Sequence, residues 1–105
     1  MTDSSQPAHE ILLALTNPVE GREEEFRTWY WETHIPEVLA LPGIVSARRY
    51  LAPESAAGVS HRYVTLYEVE GSAEAARDKL FTSGLSTSDA LDVTTVAMLP
   101  LLAKD

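Results

Sequence analysis

The stretch RYVTLYEV, residues 62–69, alternates so that Tyr63, Thr65, Tyr67 and Val69 fall on one face and Arg62, Val64, Leu66 and Glu68 on the other. Its β-branched and aromatic residues suit a pleated, half-buried surface. Such a strand has little stability alone, because even a two-stranded hairpin is marginal in water. The chain must therefore supply a sheet and something to cover its apolar side, and this requirement narrows the possible folds more than any other feature.

Three further runs meet it. EILLALTN (10–17), ended by Asn17-Pro18, reads as a short strand buried on both faces. GIVSARRYL (43–51) reads as a second strand, and VTTVAMLPLL (93–102) as a last one, with Pro100 placing its far end at a sheet edge or beyond the pairing. Between the first two lies a helical pattern from Glu20 to Leu41. Glu23, Glu24 and Glu25 favour its positive N-terminal end, and Phe26, Trp29, Tyr30 and Thr33 share one face. Pro36 removes a ladder hydrogen bond and biases Ile35 away from helical angles, so a kink or break is expected there, before a stop at Pro42-Gly43. AEAARDKLF (73–81), capped by Ser72, reads as a second helix. Residues 52–61 and 82–91 read as loops, and residues 1–8, polar and without periodicity, as a disordered leader before a single domain over 9–105.

The order is βαββαβ, an α+β arrangement. Short connections and right-handed crossovers convert it into the ferredoxin-like plan, a four-stranded antiparallel sheet with both helices on one face. The uncovered face would expose an apolar patch, and the expected remedy is a homodimer made by pairing sheets.

Composition bounds the function. The formal net charge of −8 opposes binding to polyphosphates, so nucleic acid is not an expected partner. The absence of cysteine excludes disulfides, thiolate catalysis and cysteine-bound metal centres. No basic, apolar signal segment and no spanning run is visible, which gives a cytoplasmic protein with no membrane partner as the expectation. No His/Asp/Glu spacing resembles a metal motif, and P-loop and nucleophile-elbow patterns are missing, so no metal and no cofactor are expected.

The chemistry concentrates in residues 26–50, which hold both tryptophans of the chain. His34 lies one helical turn after Tyr30, on the border of the aromatic face, and an imidazole there can carry a proton near neutral pH. Its structural alternative is a helix-end histidine bonded to a carbonyl freed by Pro36. Tyr30 and Trp31 offer flat apolar contact to a planar ligand, while Trp29 reads as core. Arg48 and Arg49 point to opposite faces of their strand. Arg49, on the side of Val45, Ala47 and Leu51, is the candidate to clamp a ligand oxygen, with a glutamate salt bridge as its competing role. Tyr63 and Tyr67 share a face and can offer hydroxyls to a cavity.

The segment EEEFRTWYWETHIPEVLALPGIVSARRYL (23–51) resembles members of the dimeric α+β barrel superfamily, most closely the EthD-like branch. The likeness rests on the Trp, Tyr and His set of the first helix, the His-x-Pro at its end, and Leu-Pro-Gly before a strand carrying basic residues. It implies a homodimer whose sheets close into a barrel, a ligand cavity between sheet and helices in each protomer, and a functional role for His34. Similar proteins include cofactor-free polyketide cyclases, monooxygenases, a lactone isomerase, haem-using enzymes and chains with no assigned activity. Ile35 departs from the commoner alanine and implies a narrower pocket. The expected function is cofactor-independent acid–base chemistry (cyclisation, dehydration, isomerisation or decarboxylation) on a small apolar or aromatic oxygenated molecule. A non-catalytic ligand-binding or stress-related module is the alternative, and haem binding through His34 a third.

Overall fold

The computed structural model describes residues 9–53, 58 and 60–104; the leader and part of the 52–61 loop lie outside them. Strands β1 (Glu10–Thr16), β2 (Ile44–Leu51), β3 (Tyr63–Val69) and β4 (Ala97–Leu101) form one antiparallel sheet in the order β2-β3-β1-β4. This is a small α+β fold compatible with the ferredoxin-like plan. Among the described residues, no helix is long and apolar enough to cross a membrane.

The alternation seen in the sequence of β3 becomes the core. Tyr63, Thr65, Tyr67 and Val69 are buried, and the register sets Leu12 against Tyr67, Ala14 against Thr65 and Thr16 against Tyr63. β1 is not buried on both faces as its run of apolar residues suggests. Leu12, Ala14 and Thr16 are covered, whereas Ile11, Leu13 and Leu15 are only half-buried. An apolar run therefore reported a face with no cover inside this chain, a distinction that hydropathy alone does not make.

The first helical region is continuous but not uniform: α1 (Glu23–Trp29), a π-helical turn (Tyr30–His34) and α2 (Ile35–Leu39). Within the widened turn the Ile35 N–H donates to the Tyr30 carbonyl, five residues back. Pro36 has no N–H with which to continue an α-helical ladder, and the wider turn just ahead of it absorbs that loss. The expected break is thus replaced by a register change, and the helix runs on through Pro36 to Leu39.

A bulge between Ile44 and Ser46 shifts β2 against β3. Ile44 takes the inward place expected of Val45, which is left exposed, while Ala47, Arg49 and Leu51 remain in line with Tyr67, Thr65 and Tyr63. Gly43 makes the preceding turn possible. Its φ is +91°, and an added Cβ would sit 3.3 Å from the Glu70 carbonyl oxygen. α3 (Ala73–Thr82) starts where the Ser72 hydroxyl accepts from the Ala75 N–H, and it buries Ala73, Ala76 and Leu80.

The last strand begins later than its β-branched residues suggest. The Asp92 carboxylate accepts from the N–H and the hydroxyl of Thr94, and this local bonding winds Val93–Thr95 into a 3-10 turn. β4 is an edge strand, the kind of strand in which proline is tolerated, and Pro100 stands in it opposite Leu12.

Candidate functional site

Between the sheet and the helices lies a cavity of about 370 Å³. Trp29, Tyr30 and His34 form one wall; Ala14, Thr16, Tyr67 and Met98 form the sheet floor. Leu80 and Phe81 of α3, with Thr87, Leu91, Val93 and Val96 of the following segment, close the far side. The volume lies at the small end of the range for small-molecule sites.

The π-helical turn sets the chemistry of the first wall. An i to i+5 turn brings residues four apart closer to one line than an α-helix does. Tyr30 and His34 accordingly stack, with ring centroids 5.7 Å apart and planes 16° from parallel, and Trp29 stacks on His34 at 4.8 Å. Trp29 is held from outside the helix. Its indole N–H donates to the Ser86 hydroxyl at 3.2 Å, and Ser86 donates its own hydroxyl to Glu37 at 2.7 Å. These bonds tie the segment after α3 to the helix beside the cavity.

His34 Nδ1 is buried and has no hydrogen-bond partner. Burial pushes the His34 pKa below its ordinary value, and the nearby Glu37 carboxylate opposes that shift without reversing it. The imidazole is therefore neutral at pH 7, the form that can accept a proton. Tyr30 shares a hydrogen bond of 2.7 Å with the Thr65 hydroxyl, and burial raises its pKa. Tyr67 is almost wholly buried, and its phenol is pushed well above the ordinary value, first by burial and then by Tyr30. Both phenols stay protonated and can donate. Thr16 places a further buried hydroxyl without a partner on the same floor.

The other proposed site residues lie elsewhere. Trp31 turns away from the cavity and packs against Tyr63, with the Arg49 guanidinium over its ring at 4.7 Å and that of Arg27 at 5.8 Å. Arg49 is thereby engaged by an aromatic face; among the described residues it pairs with no glutamate, and it does not line the cavity. Tyr63 presents its ring to the core and its hydroxyl to Glu23, at 2.6 Å; Arg62 donates to the same carboxylate at 2.9 Å. The Tyr63 bond, with help from Arg62 and Arg27, holds the Glu23 carboxyl below its usual range. Burial and that carboxylate push Tyr63 up to about 12. The structure thus brings Tyr30, His34 and Tyr67 together and sets Trp31, Arg49 and Tyr63 apart. No group of three metal-ligating side chains occurs among the described residues.

Sequence reasoning missed Thr16; Trp29, read as core, does pack against the core and lines the cavity as well. A signal existed for the first: a threonine on the inward alternation of β1, in line with Leu12 and Ala14. None existed for Thr87 or Leu91, which reach the cavity from a segment with no periodicity. No protein-family model, curated protein or solved structure matches the chain, so the likeness to the EthD-like branch stands on residues 23–51 alone. What fold and site define is a class: a small α+β domain with a four-stranded antiparallel sheet and an apolar cavity walled on one side by an aromatic helix.

Proposed function

We propose that this chain is a small-molecule enzyme that moves a proton without a cofactor, on an apolar or aromatic oxygenated substrate held in the cavity. The observation that carries the reading is a neutral imidazole, His34, in the wall of an otherwise uncharged apolar cavity. A neutral histidine can take a proton from carbon or oxygen next to a carbonyl, and phenols such as Tyr30 and Tyr67 can donate to the oxygen where charge develops. Cyclisation, dehydration, isomerisation and decarboxylation all require that movement. The experiment is turnover of aromatic ketones and lactones by wild type and His34→Ala. A fall of about 10²–10⁴-fold is expected for a general base, and equal turnover removes His34 from the mechanism.

One observation favours a second reading, a binding module without catalysis. His34 Nδ1 lacks the third group that commonly orients a catalytic base. Ligands bound equally well by both proteins and converted by neither would establish it.

The same proposal includes a homodimer. On the outer side of the sheet, Leu66 pairs with Leu13, Leu13 with Leu99 and Ile11 with Leu101, and Tyr50, Leu99 and Leu101 are exposed in the single chain. A second copy of the same face buries this surface at little cost in polar desolvation. Sedimentation is expected to give a dimer for wild type and a monomer for Leu99→Glu; a monomeric wild type at micromolar concentration overturns the assembly.

A further inference from the structure

The cavity has a chemical sign that the proton-transfer reading leaves open. Apart from His34, none of its lining residues is ionisable in the ordinary range: there is no Asp, Glu, Lys or Arg among them. The nearby cations are engaged elsewhere, Arg49 and Arg27 over Trp31 and Arg62 on Glu23. Burial lowers the His34 pKa, which disfavours the imidazolium as a countercharge. A carboxylate or phosphate brought into this space would exchange its hydration for hydroxyl donors, with no Lys or Arg among the lining residues to balance its charge.

The space nevertheless presents polar atoms without partners: Thr16 Oγ1, His34 Nδ1 and the hydroxyl of Tyr67. Tyr67 is 1% exposed and lines the cavity, and its hydroxyl makes no hydrogen bond to any described residue, unlike that of its neighbour Tyr30, which is satisfied by Thr65. Unlike Thr16 Oγ1 and His34 Nδ1, the Tyr67 hydroxyl is not fully enclosed, and an acceptor on the ligand would pair with it as its contact with water is lost. We infer that the cavity takes an uncharged ligand with an apolar body and one accepting oxygen, a ketone, ester or lactone carbonyl, and that Tyr67 is the residue that donates to it and selects for it. This rests on the cavity being a ligand site, as proposed above, and adds the class of molecule it accepts.

Calorimetric titration with three compounds sharing one bicyclic body tests it: 1-tetralone, tetralin and tetralin-1-carboxylate. The wild type is expected to bind the ketone about tenfold more tightly than the hydrocarbon, and the carboxylate most weakly. Tyr67→Phe is expected to bring the ketone down to the level of the hydrocarbon while tetralin binds as before. Carboxylate binding equal to or tighter than ketone binding overturns the uncharged class. A ketone preference that survives in Tyr67→Phe overturns the role of Tyr67; both results leave the cavity as a ligand site. Binding of none of the three by the wild type sinks the inference together with the ligand site. The wild-type ranking stands even if the variant fails to fold.

Discussion

Two tryptophans two residues apart, Trp29 and Trp31, occupy opposite kinds of environment. Trp29 stacks on a neutral imidazole and faces an apolar cavity. Trp31 lies under two guanidinium groups near the protein surface. The residue type is the same, yet one ring faces a cavity lined by no Asp, Glu, Lys or Arg and the other collects two cations. The lesson is that aromatic content marks a region as available for packing, while the charges around each ring decide what it can hold. On the cavity side a ring can meet a neutral guest; on the cationic side its face is already taken.

The comparison breaks most severely at the residue both regions share. Phe26 stacks on Tyr30 at 5.0 Å and meets Tyr63 edge-on at 4.9 Å, and it is fully buried. Phe26→Ala is expected to cost about 3–5 kcal/mol in urea unfolding. A loss under about 1 kcal/mol would mean that the two regions do not hang on one core.

A second prediction sharpens the contrast in charge. Because the His34 pKa is depressed in the folded protein, the unfolded chain binds the proton more readily. The contribution of this group to stability is therefore fully present above pH 6.5 and is lost as pH falls from there through the lower, folded value. The His34 proton resonances are expected to titrate with a midpoint below 6.5. A midpoint above 6.5 would show that the cavity side is not the neutral region described.

The smallest effect belongs to the cationic side. Arg49→Ala removes an exposed guanidinium from the Trp31 ring and is expected to cost about 0.5–1 kcal/mol, with ligand binding unchanged. A large loss of ligand affinity in this variant would join the two regions that the geometry separates.

Much of the fold was legible because strands and helices of this chain carry their periods openly. The alternation of 62–69 became β3 within one residue, and the alanine-rich 73–81 became α3 with the expected Ser72 cap. The places that misled are those where a short-range interaction outweighs the period. Asp92 bonding to Thr94 turned a β-branched run into a 3-10 turn, and a bulge exchanged Val45 for Ile44 on the inner face. Of the candidate site, Tyr30, His34 and Tyr67 were legible as aromatic or titratable groups on inward faces. The displacement of Arg49 was not, since a guanidinium that stacks on an indole and one that binds a carboxylate leave the same mark in a sequence.

The sequence by itself determined the order of strands and helices, the inward face of β3, and the absence of thiol chemistry, because these depend on residue type and on periods two and 3.6. Tertiary structure alone decided that the face carrying Trp29 meets a cavity and that His34 stacks on Trp29 and Tyr30 instead of bonding a carbonyl. The physical reason is the π-helical turn. One widened turn ahead of Pro36 rotates every later side chain against the earlier ones, and a register change of that kind has no period from which to be read.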